Sequence, residues 1–411
     1  MKPLKILYYI DSLNFGGVET LVTDWALRLD KSQFETIICI NKDIDKSDVN
    51  WEENGIKKIV LNVDSYKKSR KSKLPSISRI YKNLKKINRC FLEERPDILH
   101  LHDFWTALFC INLAKKIGTP KIIIHTHQTI EGSAFNNPQN YLENKKAKKF
   151  FHNLQNIWIP KFFFRYIYKL VDKVVVISQE TENDVIKLGA PESKIVKIFN
   201  GIDISNFDKN ANSVTTKQTD TLKKKYGLTK TFPIIGLLGN IKAQKGYEYL
   251  IQAMPEIKKR LPHAKAIILG GWGDNRLKEN KEKLDSLCCN LNVHNDVIFA
   301  GYQKPYFFIP MFDICLMTSI HEGMSVALLE FMAARKPVIS TKVEGVSEVI
   351  NHGENGIIVK PRDPKSIADA IIKVALDKTL SEKISHNARK SIEKEFTINQ
   401  MLNKLKKLYT S

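Results

Sequence analysis

A chain of 411 residues is too long for one ordinary hydrophobic core, so two domains are expected. With 43% hydrophobic and 27% charged residues it reads as an ordinary soluble globular protein, and no window of roughly eighteen uncharged apolar residues is present to span a bilayer. The formal charge of +21, from 65 basic and 44 acidic side chains, admits nucleic acid, anionic lipid or polyphosphate as partners, or lysines that are merely solvated.

The N-terminal KILYYI (5–10) is too short for a signal-peptide core and runs straight into Asp11, so it reads as a first buried strand. NFGGVET (14–20) follows and opens a helix. Gly16 and Gly17 allow close backbone approach there, and the helix start offers free N–H groups to an anion. The spacing is not that of a dinucleotide fingerprint, and a plain tight turn is the alternative. ETIICI and KIVLNV are the next strands. Residues 65–92 then carry ten basic side chains and no acidic one, and their second half has helical spacing.

DILHLH (97–102) and KIIIHTH (121–127) put histidines at two strand ends. An H-x-H pair shares one face of a strand and invites a metal reading, but no third ligand set is evident, so no metal is expected. His127 falls where open α/β sheets do their work, at the carboxyl end of a strand. The run 145–170 interleaves basic residues with aromatics. Trp158, Phe162, Phe163, Phe164, Arg165, Tyr166 and Tyr168 there serve either as core packing or as an anionic-bilayer contact. KVVVIS (173–178) closes the first series, and the βαβα order implies a parallel sheet with helices on both faces.

KIVKIFNGIDISNF (194–207) breaks the rhythm, and a polar stretch (209–225) follows. The boundary is placed near 198–206, giving domains 1–200 and 201–390, with the helical segment 391–411 packing back on the first. Strands FPIIGLLG, AKAIILGG, VIFAG, ICLMTS, PVIST and GIIVK make the second series. Two such sheets face to face imply a cleft between their strand ends. Six cysteines without C-x-x-C or zinc spacing, Cys288 and Cys289 being adjacent, read as reduced thiols of a cytosolic protein.

In GNIKAQKGYEYLIQAM (239–254), Lys245 stands at a helix start, which makes sense if an anion such as diphosphate binds there; a solvent-facing loop lysine is the alternative. GGWGD (270–274) has no third glycine and reads as a strand-end loop. In HEGMSVALLEFMAAR (321–335), Gly323 permits a tight turn, Ser325 is a candidate N-cap, and the N–H groups of 323–326 suit a phosphate. Glu330 is surrounded by apolar residues on every helical face. A buried carboxylate needs a partner, so it meets either vicinal hydroxyls of a ligand or a base from another element.

Together these residues resemble the retaining glycosyltransferases of family 4, which have the GT-B fold. The matching features are Gly16-Gly17, the HTHQT strand end, Asn200-Gly201-Ile202-Asp203, Lys245-Gly246, and Glu322, Gly323, Glu330, Met332, Ala333, Pro337 and Val338 in order. The resemblance implies an α/β chain of two facing Rossmann-like domains. It also implies transfer of a sugar from a nucleotide-diphosphate sugar, a UDP-sugar foremost, to a saccharide or polyprenyl-linked saccharide. His127, Glu322 and Lys245 are implied as catalytic. Gly16, Gly17, Asn240, Lys245, Gly323, Met324, Ser325 and Glu330 are implied as donor-binding, with Glu330 on the ribose hydroxyls.

No D-x-D motif fits a strand end, so no metal or other cofactor is expected. Asn240 stands where the family has Arg, and Arg335 where it has Gly, which alters the helix C-cap. The competing readings are a sugar-nucleotide 2-epimerase of the same fold and a non-catalytic basic protein that binds nucleic acid or membrane; a nucleic-acid partner is not expected. The expected place is cytoplasmic, with peripheral contact at the inner face of the plasma membrane.

Overall fold

A computed structural model of the chain describes residues 2–14, 16–63, 77–102, 104–129, 158–273 and 275–411. The parts of the two basic runs at 65–76 and 145–157, Phe15 and Asp274 lie outside the described residues, as do the side chains at 77–80, 104–109, 158–161 and 275–276. The chain divides into two compact units, with the change from the first to the second at Ile198/Phe199 and with Leu402–Ser411 belonging to the first.

Unit one is built on a seven-stranded parallel sheet: β1 (Leu4–Ile10), β2 (Phe34–Ile40), β3 (Lys57–Val60), β4 (Ile98–Leu101), β5 (Lys121–Thr126), β6 (Lys173–Val176) and β7 (Ile195–Lys197). Their order is β3-β2-β1-β4-β5-β6-β7. Central strands of such a sheet are covered on both faces, so both side-chain sets are apolar, and Ile6, Leu7, Tyr8 and Tyr9 are all fully buried. β7 lies in the stretch where the sequence rhythm was read as broken; it is only three residues long and pairs on one side alone, with β6.

Unit two has a six-stranded parallel sheet: β8 (Ile234–Leu238), β9 (Lys265–Leu269), β10 (Val297–Gly301), β11 (Ile314–Met317), β12 (Val338–Thr341) and β13 (Ile357–Val359), in the order β10-β9-β8-β11-β12-β13. The polar stretch after the boundary is not a linker. It forms two helices, Ile204–Asn212 and Thr216–Lys225. Local caps start them: Asp203 accepts from the Asn206 N–H, and Thr215 and Gln218 form a reciprocal capping box. The first is anchored by the Asp208 carboxylate, which accepts two bonds from the buried Arg389 guanidinium at 2.7 and 2.8 Å.

The aromatic run is split by the helix Trp158–Leu170: Phe164, Ile167 and Tyr168 are buried, while Phe162, Arg165, Tyr166 and Lys169 form an exposed stripe. Arg335 sits in the left-handed region (φ 56°) just past the helix Val326–Ala333. Its N–H bonds Met332 O at 3.1 Å, and the Lys336 N–H bonds Phe331 O at 3.4 Å, the paired bonds of a Schellman cap.

Candidate active site

In unit two the loops after β8 and β11 meet. Lys245 and Glu322 form an ion pair, Nζ to Oε2, at 2.6 Å, each side chain only 14% exposed. Ser319 Oγ donates to the same Glu322 oxygen at 3.0 Å, and Thr318 Oγ1 donates to Lys245 O at 2.8 Å. The Ile320 N–H adds a bond to Gln244 O at 2.8 Å. These bonds fix one cation and one carboxylate against each other at the carboxyl ends of two neighbouring strands.

Gly246 makes the approach possible. Its φ is +62°, and a Cβ there would lie 2.3 Å from Thr318 O, so no other residue fits without displacing backbone. Beside it, Tyr247 donates its hydroxyl to Gly239 O at 2.6 Å. Burial, and then the Glu322 charge, pushes this phenol well above its usual range, so it stays a donor.

Asn240, expected among the donor contacts, has its amide oxygen on the Gly271 N–H at 3.1 Å, tying the loops after β8 and β9 together. It supplies no charge in place of the family arginine.

The loop after β11 leads into the helix Val326–Ala333. Ser325 occupies the N-cap, but its side chain makes no capping bond to the first-turn N–H groups. The left-handed glycine nearby is Gly345 (φ +71°), on whose bare Cα the Gly323–Met324 backbone packs; an added Cβ would lie 3.0 Å from Gly323 O. The Met324 segment is held from below by Asn200, whose Nδ2 donates to Met324 O at 2.7 Å and whose N–H meets its sulfur at 3.1 Å.

Glu330 is half-buried rather than buried. Val326, Ala327, Glu330 and Ala334 form a partly open stripe, while Leu328, Leu329, Phe331, Met332 and Ala333 are buried. A helix read as apolar all round thus has one accessible edge, and the carboxylate lies on it.

In unit one, Gly16 is the uncapped N-cap of the helix Gly17–Arg28. The Glu19 carboxylate folds over that start, 2.2 Å from where a Gly16 Cβ would be, and complements the exposed N–H groups. His127 is half-buried, with Nε2 2.9 Å from His102 Nδ1. Burial lowers its pKa to about 3, so the ring is neutral at physiological pH and acts by hydrogen bonding rather than as a cation.

The sequence motifs single out Lys245, Glu322 and Glu330; Ser319, Tyr247, Gly345 and the Asn200–Met324 contact come only from the structure. Their structural signals are the Tyr247 and Asn200 side chains donating to loop carbonyls, the Ser319 hydroxyl on the Glu322 carboxylate, and the close backbone approach to Gly345.

Two family models match the chain: "Glycosyltransferase Family 4" over residues 15–206 and "Glycosyl transferases group 1" over 218–391. They leave unmatched only 1–14, 207–217 and 392–411. Among curated relatives, the N-acetyl-alpha-D-glucosaminyl L-malate synthase of Bacillus anthracis is 26% identical over 319 residues, 77% of this chain and 75% of its own. The UDP-Gal:alpha-D-GlcNAc-diphosphoundecaprenol alpha-1,3-galactosyltransferase of Escherichia coli is 25% identical over 344 residues, 82% of this chain and 79% of its own. Among solved structures, Anabaena Alr3699/HepE in complex with UDP and glucose superposes with a TM-score of 0.78 at 18% identity, covering 99% of both chains, a likeness of fold. With two doubly wound parallel sheets, the Lys245–Glu322 loops and both halves matched in order, the chain belongs to the family 4 glycosyltransferases of the GT-B fold.

Proposed function

We propose that the chain is a retaining hexosyltransferase, moving a sugar from a nucleotide-diphosphate sugar, a UDP-sugar foremost, onto a saccharide or polyprenyl-linked saccharide of the cell surface. The carrying observation is the Lys245–Glu322–Ser319 cluster at the ends of β8 and β11. A cation held at the end of a strand, beside uncapped N–H groups at the start of the next helix, suits a leaving diphosphate. Glu322 accepts from sugar hydroxyls, Ser319 and Lys245 fixing its orientation. Glu330, on the open edge of its helix, accepts from the ribose hydroxyls. A relative that makes N-acetyl-alpha-D-glucosaminyl L-malate and another named for UDP-Gal support the donor class.

The acceptor hydroxyl attacks on the face the diphosphate leaves, so configuration is retained. Both carboxylates are engaged in binding, and no double-displacement dyad is formed. Catalysis rests on positioning and on stabilising the diphosphate charge, without a metal in the transfer step. In unit one we assign His127 to the acceptor hydroxyl and the exposed Phe162–Tyr166 stripe to an anionic membrane on the cytoplasmic side. No helix among the described residues is long and apolar enough to cross a membrane, so this contact lies in the plane of the surface.

A thermal-shift panel of uridine, guanosine and adenosine diphosphate sugars, followed by NMR of the product anomer, tests this reading. A selective shift with one uridine sugar and an α-product from an α-donor are expected. Stabilisation by no nucleotide sugar, or nucleotide release that does not depend on acceptor, would overturn it.

A further inference from the structure

The unit-one sheet carries, on one face, a group of histidines of which the proposed transfer reaction calls on His127 alone. β4 and β5 are neighbours in parallel register, His100 opposite Ile123 and Leu101 opposite Ile124. Residues two apart share a face, so the two H-x-H pairs bring His100, His102, His125 and His127 onto the same side. At the H-x-H pairs the expectation of no metal rested on a missing third ligand, and strand pairing supplies one.

We propose that His100, His102 and His125 form a three-imidazole site for a divalent transition-metal ion of the zinc class. Their ligand nitrogens all lie within 4.8 Å of one another. The ring centres form a triangle with two sides of 5.4 and 5.5 Å and a shorter one of 4.5 Å between His100 and His102. Three imidazoles bound tetrahedrally through bonds of about 2.0–2.1 Å place their ring centres about 5.2 Å apart.

The nitrogens that ligation needs are the ones left over. His100 Nε2, His102 Nε2 and both nitrogens of His125 are buried with no hydrogen-bond partner. The other nitrogens of the first two rings are engaged: His100 Nδ1 meets the Tyr409 hydroxyl at 2.8 Å, and His102 Nδ1 meets His127 Nε2 at 2.9 Å. Such outer contacts fix the tautomer and ring orientation of a metal-binding histidine.

Trp25 stacks on His100 and His125, with ring centres 5.9 and 5.2 Å apart, and covers the group. Burial keeps the rings in the neutral form that carries a free lone pair. An all-imidazole set with no carboxylate selects zinc, nickel, cobalt or copper over calcium or magnesium. Three protein ligands leave a fourth position for water. Binding closes the nitrogens to about 3.3 Å, reached by side-chain rotation out of the present 11° stack of His100 on His125. The ion then ties the ends of β4 and β5 together and, through His102, fixes His127.

The test uses the full, untagged chain stripped with EDTA, dialysed, and titrated with cobalt(II). One equivalent per chain is expected, with the visible bands of four-coordinate cobalt, bleached by one equivalent of zinc. His125→Asn should weaken binding at least tenfold, whereas His352→Asn, at an exposed histidine, should not change it. Absence of the bands with stoichiometric cobalt in the wild-type chain, or undiminished binding in a folded His125→Asn variant, overturns the site. The wild-type titration decides the matter alone if that variant does not fold.

Discussion

At the scale of single residues, Glu322 and Lys245 are each other's partner before any donor arrives, at 2.6 Å with little solvent between them. Removing one therefore has two consequences of opposite sign. Glu322→Ala takes away the acceptor of sugar hydroxyls but releases the lysine cation for phosphate. Transfer should fall at least a hundredfold, about 2.7 kcal/mol of barrier, while the affinity for the nucleotide diphosphate product holds or tightens. Glu330→Gln should instead raise the Kd for nucleotide several-fold, because an amide presents only one acceptor oxygen to two hydroxyls. Calorimetric titration with nucleoside diphosphate alongside turnover separates the two; wild-type turnover in both variants would remove these residues from the site. Glu322 was legible from its motif, but its ion pair was not, since 77 positions separate it from Lys245.

Elements show where local chemistry sufficed and where it did not. The helices Ile204–Asn212 and Thr216–Lys225 escaped a reading based on apolar periodicity, because capping starts them and Phe207 is the one residue buried by either. Arg335 at the left-handed position after Val326–Ala333 shows the reverse. The departure from glycine was read as a change of C-cap, and a Schellman cap is what forms there, with a side chain where glycine costs less. The aromatics of the helix Trp158–Leu170 divide between core and surface. Phe162, 75% exposed, and Tyr166, 44% exposed, are one turn apart and flanked by Arg165 and Lys169. Sedimentation with phosphatidylglycerol vesicles at low salt should carry the protein down. Phe162→Ser with Tyr166→Ser should reduce the bound fraction several-fold, and phosphatidylcholine vesicles should leave the protein in solution. Equal binding by the double variant would mean that another surface makes the contact.

At the scale of the whole molecule, the histidine face makes unit one acid-sensitive. Burial, first of all, holds His100, His102 and His125 well below their ordinary pKa and lowers His127 to about 3. Below about pH 6.5 the unfolded chain takes up protons on these rings and the folded chain does not. The stability is thus complete above the unfolded value and is lost as pH falls, by as much as about 1.4 kcal/mol per pH unit per ring, down to about pH 3 for His127. With EDTA present, the urea midpoint of unit one should be level from pH 8 to 7 and drop steeply between 6 and 5. A flat profile would mean that the rings protonate in the folded state. The run of apolar strands and amphipathic helices, the two-domain α/β order and the Glu322–Glu330 motif were all determined by the sequence alone, because each is local: period, length and turn chemistry are written within a few neighbouring positions. Only the tertiary structure decided that β4 and β5 lie side by side, that Lys245 meets Glu322, and that Tyr409, from the last helix, reaches His100 across 309 positions. Strand pairing and loop contact join residues distant in the chain, and their partners are chosen by how the whole core packs, which no local pattern records.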